Sequence, residues 1–77
     1  MPTALHSRRY EHFRTLLVER RTEAGLTQAA VASRLGKPQS YVSKYEKGER
    51  RLDLIEFLDI AAAIGFDPAV FIRKLLR

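Results

Sequence analysis

Residues 26–51, LTQAAVASRLGKPQSYVSKYEKGERR, hold two short helical patterns interrupted by a glycine. In the first, Val31 and Leu35 recur at helical spacing, with small Ala29, Ala30 and Ala32 between and around them. In the second, Val42 and Tyr45 make an inward face and leave Gln39, Ser40, Ser43 and Lys44 on the other side. The break is Gly36-Lys37-Pro38. Gly36 can adopt the left-handed conformation that ends a helix, and Pro38 suits a helix start because its missing N–H is no loss there. Two helices meeting steeply across a tight glycine turn make a helix-turn-helix.

Ala32, four residues before the turn glycine, lets the second helix cross closely, where a bulky side chain would push it away. On these residues the chain resembles the phage-repressor/Cro-like proteins, also called the xenobiotic-response-element family. The matching positions are Leu26-Thr27-Gln28, Val31-Ala32, Leu35-Gly36, Val42-Ser43-Lys44-Tyr45-Glu46 and Gly48-Glu49-Arg50. The resemblance extends from about Phe13 to Leu75. It implies an all-α, compact five-helix, lambda-repressor-like DNA-binding domain with the helix-turn-helix at its second and third helices.

The 77 residues suffice for one domain near the lower size limit of a self-sufficient core. With 45% hydrophobic and 30% charged residues, the chain reads as globular. There is no cysteine, which excludes disulfides and thiolate metal sites. No apolar run approaches a membrane span, and MPTALHSRRY lacks the hydrophobic segment of a signal peptide, so a cytoplasmic location is expected. The net charge is +5 and unevenly spread. Residues 34–51 carry six basic and two acidic side chains, whereas 52–67 carry four acidic and no basic ones. A basic segment on the helix-turn-helix is the electrostatic footprint of a DNA-facing side.

Residues 1–7 show no periodicity and are expected to fray. Helices are expected near 8–24, 28–35, 39–47, 54–64 and 68–76, without strands or an interdomain linker. Thr27, Asp53 and Asp67 are N-caps, and each stands between apolar residues spaced as a hydrophobic staple: Leu26 with Val31, Leu52 with Phe57, Phe66 with Phe71. Glu56, three after Asp53, completes a capping box. The expected core comprises Phe13, Leu17, Leu26, Val31, Leu35, Val42, Tyr45, Leu54, Phe57, Leu58, Ala61, Ile64, Phe66, Phe71 and Leu75.

A nine-residue recognition helix is about 14 Å long and fits a major groove about 12 Å wide. The resemblance implies that Gln39, Ser40 and Lys44 read bases, and Ser43 lies on the same face. Gln pairs bidentately with adenine, and Lys donates to guanine O6 and N7. The alternative for Ser40 and Ser43 is a solvated surface hydroxyl, and for Ser43 the two readings weigh equally. Gln28 resembles the family glutamine that anchors to the DNA backbone, and Lys47, Arg50 and Arg51 occupy the loop that makes further phosphate contacts. Tyr41 suits either a phosphate or a thymine methyl. The resemblance also implies a structural ion pair between Arg21 and Glu46. His6 and His12 have no partner at metal-ligand spacing, and no nucleophile sits beside a base. Neither an enzyme nor a cofactor or metal is expected.

Three positions depart from the family pattern: Lys37 after the turn glycine, Arg20 in the first helix, and Pro38 where Ser or Thr commonly caps. The leading expectation is a sequence-specific transcriptional regulator acting as a homodimer on double-stranded DNA. Its dimer interface is expected on the C-terminal helix, where Ile72 and Leu76 form a stripe beside the core-facing Phe71 and Leu75. The alternatives are an antitoxin that binds a toxin protein and its own operator, and a protein-interaction adaptor that kept the fold without DNA.

Overall fold

Four of the five helices begin where a short polar side chain accepts a backbone N–H of the first turn. In a computed structural model that describes residues 7–77, Ser7, Thr27 and Asp53 accept from the third residue on, and Asp67 from the second and third. The helices are α1 (Arg8–Glu23), α2 (Gln28–Leu35), α3 (Gln39–Lys47), α4 (Leu54–Ile64) and α5 (Pro68–Leu75), with no strand among the described residues. Residues 1–6 of the expected frayed arm, His6 included, lie outside the described residues, while Ser7 is the cap of α1. The capping box at Asp53 and Glu56 is closed in both directions. Phe66 and Phe71 stack with ring centroids 5.1 Å apart, the third staple seen as a contact.

The helices close on one apolar cluster. Leu16 and Leu17 of α1, Val31 and Ala32 of α2, Val42 and Tyr45 of α3, Phe57, Ile60 and Ile64 of α4 and Phe71 of α5 meet in it. Phe13 sits 5.6 Å from the Phe57 ring and 5.8 Å from that of Phe71, so an aromatic knot joins α1, α4 and α5. α2 packs on α3 and α4, and α1 on α3 and α5. Each fully buried aliphatic side chain contributes about 1.5–3 kcal/mol relative to exposure. Val42 and Tyr45 therefore fix the inward face of α3 firmly.

On α4 the structure corrects the expected core. Leu54 is 64% exposed and Leu58 is also exposed, whereas Ile60, absent from the expected set, is 0% exposed. Phe57, Ile60, Ala61 and Ile64 share one helical stripe, and Leu58 stands one residue, about 100°, off it. Leu54 belongs to the first turn and borders an open groove with Ile72 and Leu75 rather than being covered by them. Because LIEFLDIAAAI is apolar almost all round, its periodicity could not single out the buried stripe.

Candidate nucleic-acid interface

The outward face of α3 is a consequence of what surrounds its two ends and its inner side. At the turn before it, Gly36 takes a left-handed conformation (φ 67°), and the N–H groups of Gly36 and Lys37 donate to the carbonyls of Ser33 and Ala32. Pro38 is extended and launches α3 without a side-chain cap, so the first-turn N–H groups of the helix keep the positive end of its dipole open. With Val42 and Tyr45 buried inward, Gln39, Ser40 and Lys44 are exposed, and Ser43 is half-buried beside them. Lys47 and Arg51 are exposed in and after the last turn.

Behind this face, one carboxylate organises the helix. Glu46 accepts from Arg21 Nε at 2.7 Å and Nη2 at 3.1 Å, and from Gln28 Nε2 at 2.8 Å. Arg21 Nη1 also donates to the Leu26 carbonyl at 2.9 Å, tying α1 to the start of α2. The Glu46 bond holds the Arg21 guanidinium above its ordinary pKa. Thus a negative charge beside the outward face of α3 is neutralised, and Gln28 is joined to α3. Burial pushes the Tyr45 phenol above its usual range, and its hydroxyl oxygen is buried without a partner.

Arg14 closes the other end of α3. Its Nη1 donates to the Glu46 carbonyl at 2.8 Å, and its guanidinium lies over Gly48, where an added Cβ would come 2.9 Å from Nε. Gly48 is left-handed (φ 83°), so glycine is required there by conformation and by space. Arg14 escaped the sequence reading. The available signal was its spacing of seven from Arg21, two helical turns along one face of α1.

Arg50, expected at a phosphate, is half-buried and bound to protein. Its Nη1 and Nη2 donate to Glu56 Oε1 and Oε2 at 3.1 and 2.6 Å, and its guanidinium lies 4.8 Å from the centre of the Tyr41 ring. Lys37 approaches the same ring at 5.4 Å, so Tyr41, also half-buried, is flanked by two cations. Burial raises the Tyr41 phenol pKa. The Arg50 bond, with the Asp53 N–H, lowers the Glu56 carboxyl to about 2. Arg51 rests 4.9 Å over the Tyr10 ring, whose hydroxyl accepts from the Leu52 N–H at 3.2 Å. Glu56 was legible only as a capping residue. Its bond to Arg50 crosses a loop that no helical period describes.

Among the described residues, no group of three His, Cys, Asp or Glu could hold a metal, and no helix is long and apolar enough to cross a membrane. Residues 17–71 match the family model described as helix-turn-helix. Over 45 residues the chain is 42% identical to the uncharacterised HTH-type transcriptional regulator y4dJ of Sinorhizobium fredii (strain NBRC 101917 / NGR234). That match covers 58% of each protein, so the chain spans little more than half the length of this curated relative. A solved structure, an XRE-family like protein from Pseudomonas syringae pv. tomato str. DC3000, superposes with a TM-score of 0.84 at 54% identity, over 87% of this chain and 82% of that one.

Proposed function

The chain belongs to the helix-turn-helix family, and from that premise we propose that it is a sequence-specific transcriptional regulator that binds double-stranded DNA as a homodimer. The observation that carries the reading is the two-sided α3: Val42, Tyr45 and Glu46 are buried or locked, while Gln39, Ser40 and Lys44 point outward. In this reading α3 enters the major groove, where Gln39 and Lys44 donate to base edges and Ser40 and Ser43 supply adaptable hydroxyls. Lys47 and Arg51 contact phosphates, as does the Gln28 amide hydrogen that Glu46 leaves unused. Tyr41 shapes the flank of the helix, with its ring between Lys37 and Arg50. Binding sites selected from a random duplex pool test the reading. It expects an enriched, two-fold related motif; an unenriched pool contradicts it.

An exposed apolar face supports a second copy as the partner. Ile72 of α5 and its C-cap Leu76 are exposed, and Leu54 adds to them across a groove lined by Phe13, Phe71 and Leu75. A patch shared by two copies around a two-fold axis is self-complementary, and reading two half-sites one DNA turn apart requires the two α3 helices to stand about 34 Å apart. Sedimentation of Ile72→Glu/Leu76→Glu is expected to show a monomer where the parent is a dimer. A monomeric parent at tens of micromolar, or a dimeric variant, excludes this interface.

A further inference from the structure

Arg50 is one of the six cations that make residues 34–51 basic, yet its charge is already matched. Both terminal nitrogens are engaged by Glu56, Nη1 reaches the Arg51 carbonyl at 2.9 Å as well, and the guanidinium covers Tyr41. Glu56 is itself held from the other side. Its Oε1 accepts the Asp53 N–H at 2.9 Å, and its own N–H donates to the Asp53 carboxylate at 2.7 Å. The carboxylate that meets Arg50 is thus anchored to the start of α4, and the guanidinium it aims lies on a residue of the recognition helix.

We infer that Glu56 is a positioning residue for DNA selectivity: it withholds Arg50 from the phosphate backbone and, from the start of α4, commits it to bracing the Tyr41 ring of α3. The inference rests on the reading of α3 as the DNA-binding helix. A free cation in this loop strengthens binding to every sequence alike, because a phosphate contact carries no base information. A guanidinium spent on Tyr41 adds nothing to random DNA but keeps the base-reading side chains in register. Glu56 therefore raises the ratio of specific to non-specific affinity by lowering its denominator.

Glu56→Gln tests this without disturbing the helix start, since glutamine also serves at the third position of a capping box. Binding to a random duplex is followed by fluorescence anisotropy across a salt series. Once released, Arg50 gains a phosphate, so the slope of log K against log salt is expected to steepen by roughly 0.9, about a fivefold tightening near 0.15 M salt. The ratio of specific to random affinity falls. Asp59→Asn makes the same charge change in the cleft that Glu56 and Tyr41 line, without a bond to Arg50, and is expected to leave the slope unchanged. Arg50→Gln/Glu56→Gln is expected to restore the parent slope. An unchanged slope in Glu56→Gln, an equal steepening in Asp59→Asn, or a double variant as steep as Glu56→Gln overturns the inference. A parent that binds no duplex at any salt overturns the DNA-binding reading first, and this inference with it.

Discussion

Two arginine–glutamate pairs border α3, alike in chemistry and opposite in surroundings. Arg21–Glu46 is enclosed, with side chains 14% and 6% exposed; Arg50–Glu56 is open, at 40% and 26%. The first joins α1 to α3 and takes a third donor from Gln28 on α2. The second joins the loop after α3 to the start of α4. Geometry alone makes both bidentate, so burial decides what each does. An enclosed carboxylate without its partner is an uncompensated charge in a poorly solvated place, whereas an open one is simply rehydrated. The enclosed pair therefore belongs to the fold, and the open pair is available to adjust function.

The largest expected effect is at the enclosed pair. Glu46→Ala strands the Arg21 guanidinium and removes the anchor of Gln28, at a cost of about 3–5 kcal/mol in urea unfolding. Arg21→Ala is expected to be similar, and the double variant to cost clearly less than the sum of the two. Additive costs would mean that the two side chains do not depend on each other.

A smaller effect comes from the arginine at the carbonyl of Glu46. Gly36→Ala and Gly48→Ala both meet the left-handed penalty of about 1–2 kcal/mol. Nothing lies within 4 Å of a Cβ at Gly36, whereas one at Gly48 strikes Arg14. Gly48→Ala is thus expected to exceed Gly36→Ala by about 1 kcal/mol, the typical worth of the displaced Arg14 hydrogen bond. Equal losses would show that Arg14 swings aside without consequence.

The smallest stability effect belongs to the open pair and is best seen as a pH dependence. The folded-state pKa of Glu56, about 2, is depressed from 4.5, so its contribution is present above pH 4.5 and is lost as pH falls toward 2. Glu56→Gln is expected to remove that part of the acid slope and to lower the neutral-pH urea midpoint by the same solvent-screened amount, small beside the Glu46→Ala loss. A variant with the parent's slope between pH 4.5 and 2 places the proton uptake on another group.

Legibility in the sequence followed the range of the interactions. Caps and staples act within five residues, so Thr27, Asp53 and Asp67 could be read directly, as could the glycine stops at Gly36 and Gly48. The Arg21–Glu46 contact spans 25 positions and was available only through family resemblance. Arg14 reaches 32 residues along the chain and left only a faint helical spacing. Arg50–Glu56 is closer in sequence but crosses from a loop into a capping turn, where neither the helical nor the strand period applies. On α4 the difficulty was an excess of apolar residues: Leu54 and Leu58 resemble Ile60 in composition, and only the positions of neighbouring helices separate buried from exposed. The outward residues Gln39, Ser40 and Lys44 followed from their buried neighbours Val42 and Tyr45, which have the clearer pattern.

Base reading by a firmly seated α3 is tested most directly by comparing the parent with Gln39→Ala and Lys44→Ala on a selected duplex and on a random duplex, at one salt concentration. Each substitution is expected to cost about 1–3 kcal/mol on the selected site, relaxing preference at one base pair. The Gln39→Ala loss is expected to vanish on random DNA, and the Lys44→Ala loss to shrink there to its charge contribution. Equal losses on both duplexes would contradict the account, because they would make α3 a charged rod held against the backbone rather than a reader of bases.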